Sequence, residues 1–272
     1  MDPTALPTRW DVPDAVWTMS EAILHELDPA NPPGHRRVDL RRVLNGTICR
    51  LRTGCQGHPL PKQCGDDRTV PRHCQRWCPL GGFARSGAVL VQAGDELGGV
   101  DWPWHAADTA LGKPRRGGDL VGRHPTDRGN QGGTRRLVGE ADGGPRGAAI
   151  AGAHVQATTL VAATREAMVV ERPQPTEEAP PQLCLDKGED HPTGRETAAA
   201  SQYTPHSRRM GEDTRAPHGQ KTSPARRGVV ERTWAWLSTC RGLLVRDEKQ
   251  AIHCAGLLPL ACALIWRRRR AR

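Results

Sequence analysis

Phe and Tyr are almost missing from this 272-residue chain, which has one of each against eight Trp. Aromatic rings supply much of the buried area in ordinary cores, so a thinly packed core is expected, built on aliphatic side chains and tryptophan. Long apolar runs are missing too. The run Leu257 to Trp266 is interrupted by Pro259 and falls short of the roughly 20 residues a helix needs to cross a bilayer. The opening Met1-Asp2-Pro3-Thr4 is polar, unlike a secretory leader. A soluble, cytoplasmic protein is expected, its nine cysteines held mostly as thiols. No Gly-Lys-Ser/Thr phosphate loop and no Gly-x-Ser-x-Gly elbow occurs, which excludes P-loop nucleotide chemistry and hydrolases built on that elbow. The chain shows no internal repeat, so a solenoid or propeller is excluded.

What is abundant is glycine (30), proline (23) and positive charge, +9 net with an isoelectric point near 9.4. Such a balance favours a polyanionic partner, because each Lys or Arg set against a phosphate releases counterions. At this length one large domain or a small one plus a medium one fits.

Residues 11–80 read as helical. Asp11 is expected to cap a first helix carrying Val16, Ile23, Leu24 and Leu27, and Asp39 a second with Leu40, Val43, Leu44, Ile48 and Leu51 at helical spacing. Thr69 opens a short third helix through Trp77, with Arg68, Arg72, His73 and Arg76 along its outer side. Short helices ending in a basic one resemble a helix-turn-helix module; a plain three-helix cap is the competing reading. Residues 81–100 read as a Gly-rich connector and 112–134 as an exposed basic loop. Leu137 to Ala141, Asp142-Gly143-Gly144-Pro145 and Gly147 to Ala153 form a hairpin pattern. Thr158 or Thr159 is expected to cap a helix through Val170. Leu183-Cys184-Leu185, a helix opened by a Thr193 to Glu196 capping box, and Tyr203 to Ser207 make a compact βαβ unit with parallel strands. Two helices, about 225–240 and 248–266, finish the chain before the basic run Arg267 to Arg270.

Three carboxylates stand out. Asp108 follows the short run Trp104 to Ala107, and Asp186 follows Leu183-Cys184-Leu185. Residues at the carboxyl ends of strands face the crevice where ligands bind. Glu231 lies at the edge of a helical stripe formed by Val230, Trp234 and Leu237, with Arg227 one turn before it and Arg232 and Arg241 beyond. Oxygen-only ligands select Mg²⁺ or Mn²⁺, and paired ions can clamp the attacking and leaving oxygens of a phosphodiester. Each piece has a plainer reading: an Asp after a strand is commonly a turn former, and a Glu on an amphipathic helix a solvated ion-pair partner.

The order of these pieces resembles a known family. Trp10-Asp11-Val12-Pro13-Asp14-Ala15-Val16-Trp17, Val38-Asp39-Leu40-Arg41-Arg42-Val43-Leu44-Asn45-Gly46, Leu51-Arg52-Thr53-Gly54-Cys55, Leu185-Asp186-Lys187-Gly188 and Val229-Val230-Glu231-Arg232-Thr233 with Ala235-Trp236-Leu237 are similar to bacterial DDE transposases of the insertion sequence five group. The resemblance implies an α/β (α+β) RNase H-like mixed sheet flanked by helices over residues 96–272. It implies a helical, helix-turn-helix-like DNA-binding region over residues 1–95. Asp108, Asp186 and Glu231 become the catalytic metal ligands, with Asp101 and Asp119 as competitors for the first place. Arg68, Arg72, Arg76, Arg227, Arg232 and Arg241 become DNA contacts. The implied reaction is Mg²⁺- or Mn²⁺-dependent cleavage at the element's ends and joining of the 3′-hydroxyls to target DNA, by a homodimer on double-stranded DNA, with no membrane partner.

The chain departs from the family where Cys49, Gly57, Cys64, Cys74, Glu189 and Asp247 replace aromatic or apolar residues, and where Gly228 replaces a bulky one. Those departures describe a degenerate copy, and an inactive transposase remnant is one alternative. A zinc-containing nucleic-acid-binding protein is the other, with Cys55/His58 and Cys74/Cys78 as the ligand pairs.

Overall fold

The computed structural model describes residues 11–28, 37–55, 60–95, 101–125, 127–176, 180–189, 191–206 and 228–270. Four helices come first: α1 (Asp14–Glu26), α2 (Leu40–Thr53), α3 (Thr69–Trp77) and α4 (Gly82–Asp95). In α2 the expected cap is in place, Asp39 accepting from the Arg42 N–H at 3.1 Å; the helix ends at Gly54, whose φ of 68° suits a residue without Cβ. Asp11 does not cap α1. The helix starts after Pro13 without a side-chain cap, and the segment before it is tied down by the Val12 N–H donating to Asn45 Oδ1 at 2.7 Å.

The connector expected over 81–100 is largely a helix instead. In α4, Phe83, Leu90 and Val91 are buried, and its glycines sit where backbones meet: a Cβ at Gly87 would lie 3.5 Å from the Pro259 carbonyl oxygen, one at Gly82 3.3 Å from that of Trp77. Close helix packing there outweighs glycine's poor helix propensity.

The sheet contains β1 (Trp104–Pro114), β2 (Gly122–Arg123), β3 (Gln131–Glu140), β4 (Pro145–Gly152), β5 (Gln182–Cys184), β6 (Thr204–His206) and β7 (Val245–Arg246). Its main path runs β4-β3-β1-β5-β6, with β2 on the start of β3 and β7 on the end of β1. The first three strands of that path form an antiparallel meander; β5 and β6 run parallel to β1. Both the β3–β4 hairpin and the βαβ unit were legible in the sequence. The basic loop expected over 112–134 is shorter than that, because β1 runs on to Pro114 and β3 begins at Gln131.

Helix α5 (Leu160–Glu166) stops short of Val170, and α6 (Pro192–Ala200) links β5 to β6. His191, not Thr193, caps α6: its Nδ1 accepts the Gly194 N–H at 3.2 Å. The chain closes with α7 (Gly228–Ser238), the short α8 (Arg241–Leu244) and α9 (Ala251–Arg270), which carries Pro259 inside it.

Two layers of helix cover the sheet. On one face Ala106 and Leu137 share a core with Val230 and Leu237 of α7, Leu258 and Leu264 of α9, and residues of the N-terminal helices such as Val16, Leu44, Trp77 and Leu90. On the other, Ala107, Val138, Leu183 and Leu185 meet Val161, Ala198 and Tyr203. The shortage of Phe and Tyr is met by arginine. Arg136 and Arg146 are among the largest fully buried side chains, and the Arg146 guanidinium stacks 3.6 Å from the centroid of Trp102. No helix among the described residues is long and apolar enough to cross a membrane.

Candidate functional site

Asp108 does not end a strand, as the sequence suggested; it sits inside β1, paired with Leu137 of β3. On the other side β1 pairs with β5 in parallel, His105 opposite Leu183 and Ala106 opposite Cys184. That pairing ends at Ala106 and Cys184; Asp108 lies two residues further along β1, and Asp186 two residues past the end of β5. Side chains alternate along a strand. Along β1, Ala106 and Asp108 therefore share a face, and Ala106 and Cys184 both pack into the core under α7 and α9. Asp108 and Asp186 are both half-buried, each two residues beyond the last β1–β5 pair.

The turn that carries Asp186 is fixed from below. Asp186 opens a short 3-10 turn in which its carbonyl accepts the Glu189 N–H at 2.9 Å. The Glu189 carboxylate reaches into the interior and takes two hydrogen bonds from Arg136, Nη1 and Nη2 each at 2.8 Å. Arg136 also donates to Thr109 Oγ1 at 3.3 Å. One buried guanidinium therefore ties the turn after Asp186 to the residue after Asp108. Neither Arg136 nor Glu189 was among the residues the sequence singled out as functional. Glu189 stood out only as a departure from an apolar family position.

Glu231 is exposed on α7; of the expected stripe Val230 and Leu237 are buried, but Trp234 is only half-buried and Thr233 takes the buried place beside it. The start of α7 is fastened to the β3–β4 turn, Thr233 Oγ1 donating to the Gly143 carbonyl at 2.8 Å and Arg232 Nη2 to the Asp142 carbonyl at 2.9 Å. Gly143 makes that approach possible: its φ is 89°, and a Cβ there would lie 3.0 Å from Thr233 Oγ1. This turn marks the end of β1 near His105, which pairs with Glu140, and Asp108 lies three residues further on, about 10 Å along the strand. Glu231 lies near the start of α7, the end of that helix fastened to the β3–β4 turn. Among the described residues no three His, Cys, Asp or Glu side chains are disposed to hold one metal ion. The carboxylates of Asp108 and Asp186 have the donor chemistry that a hard divalent cation takes.

The predicted DNA contacts that lie among the described residues fall into three groups. Arg68 and Arg72 are exposed along α3, and Arg241 is exposed at the start of α8. Arg76 turns inward, paired with Asp28 at the end of α1 and with His73 Nδ1 at 3.0 Å, and so links α3 to α1. Arg232 is exposed but engaged with Asp142, its guanidinium 5.4 Å from the centroid of Trp236. Arg227 lies outside the described residues, as does His58 of the expected zinc set. The Cys74 and Cys78 sulfurs are buried 4.0 Å apart, while Cys55 packs with Cys49, Leu60, Cys64 and Val70.

Comparison with known proteins bears on the chain as a whole. Residues 12–86 match a family described as "Putative transposase of IS4/5 family". The chain is also 31% identical over 154 residues to the "Putative transposase for insertion sequence element IS402" of Burkholderia cepacia, covering 56% of this chain and 70% of that relative. No solved structure matches. The match runs beyond the N-terminal helices and covers more than two thirds of the relative, and the chain belongs to the insertion-sequence transposases.

Proposed function

We propose that this transposase cuts DNA at the ends of its insertion sequence and joins the 3′-hydroxyls to target DNA, on an RNase H-like sheet and with Mg²⁺ or Mn²⁺. The observation that carries the reading is that β1 and β5 pair in parallel, with Asp108 and Asp186 each two residues beyond the last pair, Ala106 and Cys184. The strand order supports it: an antiparallel meander followed by two parallel crossover strands is compatible with the RNase H-like core that the resemblance implies.

Asp108 and Asp186 would hold the cation from the sheet, and Glu231 would be drawn in as the third ligand. When bound, the ions lower the pKa of a water or 3′-hydroxyl and stabilise the departing oxygen. Three carboxylates repel one another without cations between them, so Glu231 would join the two aspartates only with the ions. Arg136 and Glu189 hold the Asp186 turn against β1, so the pair of aspartates does not have to be ordered by the metal. Arg68 and Arg72 on α3, within the expected helix-turn-helix-like region, would grip duplex DNA, and Arg241 would add a phosphate contact near the site. The working form is a homodimer, one protomer for each end of the element.

Cleavage of a plasmid carrying the element's ends tests the reading. Mg²⁺-dependent nicking should vanish in Asp108→Asn, Asp186→Asn and Glu231→Gln, with duplex binding nearly intact. Mg²⁺ at 100 times its dissociation constant should stabilise the wild-type chain by about 2.7 kcal/mol and Asp186→Asn by much less. Loss of duplex binding together with cleavage in Glu231→Gln would assign Glu231 a structural role. No nicking by a cooperatively folded wild-type chain would leave an inactive remnant.

A further inference from the structure

Beyond Asp108, β1 continues to Pro114, passes through β2, turns, and comes back along β3 from Gln131. This arm carries Lys113, Arg115, Arg116, Arg123 and Arg128 against two acids, Asp119 and Asp127. Lys113, Arg115, Arg123 and Arg128 are exposed. Arg116 pairs with Asp247 at 3.0 Å, and Asp119 is turned to the protein, Oδ2 accepting the Ala251 N–H at 3.3 Å.

The arm is not a loose tract of basic residues. Its base is stitched to the segment before α9: the Arg115 N–H donates to the Arg246 carbonyl at 2.8 Å and the Asp119 N–H to that of Lys249 at 2.9 Å. Arg246 Nη1 donates to the Asp119 carbonyl at 2.7 Å. Gly122 lies flat against His154, whose Nδ1 would be 1.7 Å from a Cβ. The turn between β2 and β3 is closed by the His124 N–H donating to the Asn130 carbonyl at 2.7 Å. Of the three non-glycine residues with positive φ among the described residues, two lie here, Leu120 at 52° and Arg128 at 49°. Left-handed backbone in residues with a Cβ persists only where the surroundings enforce it, and it concentrates at functional places.

Position gives the arm a partner. β1 and β5 both run toward it, so Asp108 and Asp186 stand at its base. Lys113 is five residues past Asp108, about 16 Å along the strand, or roughly five phosphate steps of a duplex at about 3.4 Å each. We propose that this arm is a phosphate-contacting surface for duplex DNA, on which Lys113, Arg115, Arg123 and Arg128 hold the backbone that flanks the scissile bond. The inference rests on DNA being the substrate, as read above, and assigns the surface that carries it.

The test is binding of a labelled 40-base-pair duplex of arbitrary sequence to the full chain across a NaCl series, without divalent metal. The wild-type chain is compared with the quadruple variant Lys113→Gln, Arg115→Gln, Arg123→Gln, Arg128→Gln, and with Arg165→Gln, Arg195→Gln, which removes charge from the helices on the opposite face. Each lost phosphate contact should make the slope of log K against log salt shallower by about 0.9. The quadruple variant should therefore lose up to about 3.6 in slope, with its thermal midpoint unchanged and the opposite-face variant close to wild type. An unchanged slope, an equal loss in the opposite-face variant, or a wild-type chain that does not bind duplex would each overturn the proposal. Salt-sensitive binding through the arm in a wild-type chain that never nicks DNA would uphold this surface and sink only the catalytic reading.

Discussion

Replacing Glu189 by Leu leaves Arg136 fully buried with its two charge-assisted hydrogen bonds gone. Breaking a buried pair from one side costs about 3–5 kcal/mol, because the remaining charge keeps its desolvation penalty without its partner. Against a total stability of about 5–15 kcal/mol, Glu189→Leu should remove a large share of what holds the chain folded. Removing both partners behaves differently. Arg136→Met with Glu189→Leu deletes the cost along with the attraction and should come within about 1–2 kcal/mol of wild type, since apolar replacements of buried pairs are often neutral or better. Urea unfolding measures this, read from the midpoint at constant m. Metal binding supplies a second readout. If the pair also orders the turn after Asp186, the double variant should recover its stability but bind Mg²⁺ more weakly than wild type, with Asp108 and Asp186 intact. A double variant as unstable as Glu189→Leu would refute the reasoning, since the damage would then come from lost shape and not from a stranded charge.

Gly143→Ala places a Cβ at φ 89° and within 3.0 Å of Thr233 Oγ1; it should cost about 1–3 kcal/mol in urea unfolding, and a change below about 0.5 kcal/mol, the size of an ordinary surface substitution, would show that the α7 contact is dispensable. Burial, with Arg146 and Arg172 nearby, pushes the His105 imidazole down to about 3, while the unfolded chain titrates near its ordinary value of about 6.5. The unfolded chain then binds more protons, so this contribution is present in full above about pH 6.5 and is lost as pH falls toward 3. His105→Phe should therefore lose roughly 2–3 kcal/mol less than wild type between pH 7.5 and pH 4.5, and parallel pH profiles from denaturant midpoints would contradict that.

The elements legible in the sequence are those in which local chemistry and tertiary packing agree. Asp39 before Leu40, Val43, Leu44, Ile48 and Leu51 gives both a cap and a buried stripe, and α2 forms as read. Asp142-Gly143-Gly144 between two strand runs gives the hairpin. The misreadings occur where a distant partner decides. Gly82, Gly87 and Gly94 read as a connector, yet α4 forms because Phe83, Leu90 and Val91 are buried against distant partners, with Gly82 tight against Trp77. Asp108 reads as a strand end because its glycine-rich sequel has no apolar periodicity; β3 and β7 supply the ladder that extends β1. For the candidate site, the sequence could locate Asp186 and Glu231 on their elements but could not supply a register. That Asp108 and Asp186 follow the same strand pair at the same offset is a property of the β1–β5 register. Arg136 escaped notice for a related reason. An arginine in a basic chain reads as surface, and nothing local says that it points inward to Glu189.

Buried arginine also limits how far the charge of this chain reaches. The formal net charge is +9, but Arg135, Arg136 and Arg146 are buried. Arg135 donates to the Leu243 carbonyl and lies 5.8 Å from the centroid of Trp234, in the kind of place a Phe or Tyr fills elsewhere. Guanidinium is planar, stacks on indole and is weakly hydrated for a cation, which makes it the basic side chain best suited to that substitution. Charges held this way cannot meet a phosphate without unfolding the core, so they release no counterions on binding. The salt dependence of DNA binding should therefore follow the exposed cations on α3, α8 and the β1–β3 arm, and not the total of 39 Lys and Arg. A salt slope that drops on substituting Arg146, in a chain that remains folded, would contradict this division between interior and surface charge.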